Sequence, residues 1–121
     1  IYLYWSSDNV FYHDNFVDNA QQVYSYDSTN VWDNGYPSGG NYWSDYTDRD
    51  VYSGPYQNET GNDGILDHPY VINADNQDRY PFMKPKSPSL PITSLFAIII
   101  LVITITIAAV IAFRKKASVI S

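Results

Sequence analysis

Apolar and polar positions follow two regimes along the chain, and the change falls near residue 92. Before it, apolar residues such as Ile1, Leu3, Phe11 and Phe16 are separated by Ser and Asn clusters, which predicts very short strands joined by turns. Helix is disfavoured over this stretch by its Asn, Asp, Ser, β-branched and aromatic content. After it, "ITSLFAIIILVITITIAAVIAF" runs from Ile92 to Phe113 without a charge, Gly, Pro, Asn or Gln. A helix of that length spans roughly 33 Å at about 1.5 Å per residue, enough to cross a bilayer's hydrocarbon core. The run is apolar all round, unlike a surface helix of a soluble domain, and inside a bilayer the cost of unpaired backbone groups forces even its Ile, Val and Thr residues into a helix.

The flanks of this run carry further expectations. Arg114, Lys115 and Lys116 follow it directly, so the positive-inside rule places that end in the cytoplasm and the N-terminal portion outside the cell. On the other side, "PFMKPKSPSLP" contains Pro81, Pro85, Pro88 and Pro91 and predicts a stiff, extended stalk. The expected organisation is an outer β portion at 1–83, a Pro-rich stalk at 84–91, a single transmembrane helix at 92–113 and a basic cytoplasmic tail at 114–121. Because the chain opens on Ile1 within an apparent strand, it reads as the C-terminal piece of a longer protein.

Within the outer portion two segments align without gaps, "SSDNVFYHDN" at Ser6 to Asn15 and "DSTNVWDNG" at Asp27 to Gly35. Asn9 then matches Asn30, Val10 matches Val31 and Phe11 matches Trp32, a period of 21 residues. A repeat of that length suits a parallel β-helix, in which each coil turns a few apolar side chains inward and an Asn at a corner bonds to the Asn of the next coil. Asn9 and Asn30 are the candidate ladder positions, and a small antiparallel sheet is the structural rival. The open end of such a solenoid needs covering. "WDNGYPSGGNYWSDY" has the turn signals and the rings for it, with Trp32, Tyr36, Tyr42, Trp43 and Tyr46 expected to lie over the last coil.

Charge and composition narrow the function. The net charge is −6, all 13 acidic residues precede residue 92, and only Arg49, Arg79, Lys84 and Lys86 oppose them there, so nucleic acid is excluded as an expected partner. The chain has no cysteine, which removes disulfides and thiolate metal sites. Aromatic residues make up 17% of the chain and all but Phe96 and Phe113 precede residue 92, so the outer portion is too rich in rings for a disordered tail.

Three kinds of candidate site remain. The loop "NETGNDGILD" brings Asp63 and Asp67 near Gly64, and a loose calcium site from these two carboxylates and backbone carbonyls is the candidate; an EF-hand register fails, because Tyr70 stands where a bidentate Glu is required. Tyr52 and Tyr56, near Gly54 and Pro55, are candidates for exposed rings that stack on sugar faces. Asn58 opens the sequon "NET" and is a candidate for glycosylation on an outward-facing domain.

Taken together, "SSDNVFYHDNFVDN", "NVWDNGYPSGGNYWSDY", "DGILDHPYVI" and "DRYPFM" resemble the C-terminal end of archaeal right-handed parallel β-helix proteins of the NosD-like (CASH-domain) type, over about residues 1 to 83. The resemblance implies a surface or secreted protein with a membrane anchor. The usual "GIGD" of these proteins is here Gly64, Ile65, Leu66 and Asp67, so one turn glycine is replaced by Leu66. NosD proper is associated with copper-site maturation of nitrous oxide reductase, but copper seeks His, Met or Cys, and this stretch offers only His13, His68 and Met83. The expected function is non-catalytic: a mainly β surface module for display or recognition of carbohydrate or envelope proteins. The alternatives are a polysaccharide lyase, hydrolase or epimerase with its site on further upstream coils, and a copper-maturation protein.

Overall fold

The computed structural model describes residues 1–88 and 92–120, and within the C-terminal helix the side chains of residues 97–116. The chain divides into two compact units, Ile1–Ser87 and Pro88–Ser121.

Strands in the first unit are two to four residues long: β1 (Tyr2–Tyr4), β2 (Asn15–Phe16), β3 (Tyr24–Tyr26), β4 (Tyr42–Trp43), β5 (Tyr52–Ser53), β6 (Glu59–Thr60), β7 (Tyr70–Asn73) and β8 (Asn76–Asp78). Their brevity has a local cause. Trp5, Asp8, His13, Asp18 and Asp27 all sit at positive φ, between 45° and 63°, and each turns the chain before a strand can extend.

Pairing changes sense halfway along. β1 lies parallel to β3 with Leu3 opposite Ser25, β2 lies parallel to β4 with Phe16 opposite Trp43, and Val10 bridges Val31, also in parallel. From β5 onward every pair is antiparallel: β5 with β6, β7 with β8, and Ile65 with Phe82. These small sheets do not close into a barrel.

Alternation along the strands sends Leu3 and Phe16 inward, where they form one core with Val23, Trp32 and Trp43. In-register parallel pairing places like rings over one another. Phe11 stacks on Trp32 at 4.5 Å between centroids and Phe16 on Trp43 at 4.2 Å, and Tyr70, from the antiparallel β7–β8 hairpin, adds to this column by stacking on Trp43 at 4.1 Å. Offset or face-to-face contacts of this kind add about 1 kcal/mol each to the burial of the rings.

Four expectations are corrected here. Tyr42 and Trp43 do not lie over the last coil, because β4 is itself a rung of the parallel ladder: Tyr42 N donates to the Asp14 carbonyl and Ser44 N to that of Phe16, both at 2.9 Å. Trp32 is likewise core, while Tyr36 and Tyr46 are half-buried against Tyr80 and Tyr70. Ile1 is exposed rather than inward-facing. The proline-rich stretch begins inside the domain: Pro81 is fully buried and its carbonyl accepts from Leu66 N, and the Lys86 backbone exchanges two 2.8 Å bonds with the Asn15 amide. Pro91 lies outside the described residues.

The second unit holds α1 (Ile92–Ile120), which runs past Phe113 and through Arg114, Lys115 and Lys116, so the expected tail is helical up to Ile120. Ala97–Lys116 has a mean hydropathy of 2.7 with none of it buried, and is long and apolar enough to cross a membrane. Its hydroxyls are satisfied within the helix, Thr104 and Thr106 donating to the carbonyls of Ile100 and Val102 at 2.9 Å.

Close packing at Gly40 offers a test of the fold. A Cβ there would collide with the Asp78 carboxylate, whereas one at Gly35 meets nothing within 4 Å and is opposed only by its φ of 69°. Gly40→Ala is expected to lower the unfolding free energy by about 3 kcal/mol or more and Gly35→Ala by about 1 kcal/mol, read from urea denaturation. Wild-type stability in Gly40→Ala would contradict the approach of these two residues.

Candidate functional site

Two lines of side-chain oxygens cross the layers and position everything else. Asn9 donates both its backbone N–H and its Nδ2 to Asn30 Oδ1 at 2.9 Å; Asn30 N in turn donates to Asn76 Oδ1 at 2.8 Å, which also accepts the Trp32 indole at 3.1 Å. In the second line, Asp14 N donates to Asn41 Oδ1 at 3.0 Å and Asn41 N to Asp78 Oδ2 at 2.7 Å. The Trp43 indole reaches the same Asp78 oxygen at 2.9 Å. Asn76 and Asp78 stand two apart on β8 and so face the same way; each takes one indole N–H, Asn76 with the Asn30 N–H and Asp78 with the Asn41 and Tyr80 N–H groups. Sequence reasoning found Asn9 and Asn30 but missed Asn41, Asn76 and Asp78. The available signal was that two buried tryptophans need two acceptors.

Asp78 is fully buried, and that burial pushes its carboxyl up to about 6, against the Trp43, Asn41 and Tyr80 N–H groups that favour the anion. At Asp33 burial acts in the same direction, but the Arg79 guanidinium, 2.7 Å away, and the Gly35 and Arg79 N–H groups outweigh it and hold the carboxyl below its ordinary value. These two carboxylates are structural.

An aromatic face was not foreseen. On β1 and β3 the residues flanking inward Leu3 point outward, so the parallel register gathers Tyr2, Tyr4, Tyr24 and Tyr26, with Trp5 at the end. Neighbouring rings lie 5.4 to 6.3 Å apart. Tyr2 and Trp5 are each 74% exposed, well beyond what packing on the sheet would leave. The charged side chains nearest in sequence are Asp8 and Asp27, and no Lys or Arg precedes Arg49.

The expected sites fall around a second feature, a cavity of about 310 Å³ beside β5 and β8. Tyr56, 84% exposed, and buried Tyr80 wall it together with Pro55 and Pro69, and Gln57, Asp67, Gln77 and Arg79 supply its polar groups. Tyr52 is exposed on β5 but does not line it, and Asn58 is exposed beside β6.

The two carboxylates of the expected calcium site are turned to different partners. Asp67 is not a solvated loop carboxylate: its side chain is 2% exposed, Oδ1 accepts from Val51 N and Tyr52 N, and Oδ2 lies 3.3 Å from Arg49 Nε. Asp63 is turned to Ile65 N and to the Gln57 amide. Among the described residues no three His, Asp or Glu side chains gather in one place. His13 Nε2 lies 2.8 Å from the Ser38 carbonyl oxygen and His68 Nδ1 2.7 Å from Asp48, so the two imidazoles serve separate turns.

Asp78 makes stability depend on pH. The folded protein holds this proton up to about pH 6, while the unfolded chain releases it near about pH 4. The contribution of protonated Asp78 is therefore full below about pH 4 and lost as pH rises through 6. Urea denaturation is expected to show about 1 kcal/mol more stability at pH 5 than at pH 7. Asp78→Asn should remove that difference and lower stability at both values, since an amide presents N–H to a site made of donors.

Compared with protein-family models, curated proteins and solved structures, the chain gives no match in any of the three.

Proposed function

We propose that residues 1–83 are the terminal coils of a right-handed parallel β-helix of the NosD-like type, carried outside the cell on a single membrane-spanning helix, and that this module recognises polysaccharide by contact rather than catalysis. The observation that carries the reading is the exposed face of Tyr2, Tyr4, Trp5, Tyr24 and Tyr26. Rings held at fixed spacing on a paired strand surface suit the apolar faces of successive sugar units, and their phenol hydroxyls suit the sugar hydroxyls.

The β-helix part of the reading is supported by three parallel pairings, Tyr2 with Tyr24, Val10 with Val31 and Asn15 with Tyr42, whose partners are separated by about one coil of chain. The antiparallel hairpins that follow would then be the covering of the solenoid's end. Membrane attachment is supported by the length and hydropathy of Ala97–Lys116, and the outward orientation by Arg114, Lys115 and Lys116.

Two measurements test it. In sedimentation assays with insoluble neutral polysaccharides such as cellulose and chitin, Tyr2→Ala and Trp5→Ala should each weaken binding about fivefold without changing stability. Retention of full binding by the double variant would remove the aromatic face from the function. In intact cells, added protease should cleave within residues 1–88 and reach residues 114–120 only after permeabilisation; the opposite pattern would invert the topology.

A further inference from the structure

We infer that the cavity beside β5 and β8 is a binding site for a single neutral sugar residue. It deepens the reading above, on which it rests for the ligand class alone, and it stands on different side chains.

Two buried oxygens inside the domain lack any hydrogen-bond partner, Gln57 Oε1 and Asp67 Oδ2, and both residues line this one cavity. Neither is an accident of how the amide is drawn. Gln57 Nε2 donates to the Gly54 carbonyl at 3.0 Å and to Asp63 Oδ2 at 2.9 Å, so both amide N–H bonds are spent and Oε1 is fixed as the acceptor. Asp67 Oδ1 is held by Val51 N and Tyr52 N, and Oδ2, on a side chain only 2% exposed, is ion-paired with Arg49 Nε at 3.3 Å but accepts no hydrogen bond. Buried acceptors without donors cost about 1–3 kcal/mol each, and a ligand carrying hydroxyl donors recovers that cost.

The charges select the ligand further. Asp67 is offset by Arg49 at 3.3 Å, and Arg79 is offset by Asp33 at 2.7 Å, so the lining is balanced before anything binds. An ammonium or a phosphate would upset this balance, and a neutral polyol would not. Arg79 spends two N–H groups on the Asp33 carboxylate through its side chain, out of five in a guanidinium, and has donors left for a ligand oxygen. Tyr56 and the rings of Pro55 and Pro69 supply apolar walls for C–H surfaces. A volume of about 310 Å³ is at the small end of ligand sites and holds one sugar ring rather than a chain.

The test is a resonance-by-resonance NMR titration of the full chain in nanodiscs with glucose, galactose, mannose and N-acetylglucosamine, alongside ethanolamine and inorganic phosphate. At least one sugar should give saturable shifts at Tyr56, Gln57, Asp67 and Arg79. Tyr56→Ala, at an exposed position that folding does not require, and Asp67→Asn, which keeps the Oδ1 bonds but replaces Oδ2 with a donor, should each weaken that binding about tenfold. Tyr2→Ala should leave it unchanged, so loss of polymer binding and loss of the cavity site are read separately. No shift with any of the four sugars, or tighter binding of ethanolamine or phosphate at these residues, would overturn the inference.

Discussion

The structure depends on one constraint: backbone N–H groups at the turns need acceptors, and side chains distant in sequence supply them, from Ser at Ser6, Asp18 and Thr29 and from Asn or Asp along the two interior lines. Asn30 serves Asn9, Asn41 serves Asp14, Asn76 serves Asn30 and Asp78 serves Asn41. A carboxamide can both accept in this way and donate onward, as Asn41 does to the Phe11 and Trp32 carbonyls at 3.0 and 2.8 Å. Asp78 can only accept, and it stands where the second line of oxygens stops.

Apolar packing is organised by the same spacing. Parallel strands about 4.8 Å apart bring Phe16 and Trp43 nearly face to face, and Tyr70, from the antiparallel β7–β8 hairpin, extends the column by stacking on Trp43. Burying tryptophans in such a column forces their indole N–H groups to find partners, and Asn76 and Asp78 accept them. Ring packing and polar lines therefore stand or fall together. The cost of this arrangement appears at Asp78, where desolvation of the carboxylate outweighs three favourable N–H contacts.

Most buried polar atoms of the domain are paired, and the exceptions are few. The aromatic face and the cavity are both regions in which the packing rules leave something over: rings without cover in the first, acceptors without donors in the second. His13, His68, Asp33 and Asp48 show the contrast, each engaged with a partner 20 or more residues away in the chain: Ser38 for His13, Arg79 for Asp33, and His68 and Asp48 with each other.

Much of this was legible from residue order. The gapless alignment of Ser6–Asn15 with Asp27–Gly35 carries the pairing of Val10 with Val31, because a stacked repeat preserves register. The unbroken apolar run from Ile92 determines a helix without help from the rest of the chain, since its hydrogen bonds are all local. Exposure of Tyr56 followed from its place between turn residues. Tertiary structure decided the remainder. Tyr42 and Trp43 form a ladder strand rather than a cover because their partners, Asn15 and Phe16, lie far back in the chain. The burial of Asp67, the roles of Asn76 and Asp78, and the gathering of Tyr2 and Tyr4 with Tyr24 and Tyr26 likewise arise from contacts distant in sequence, which no local pattern records.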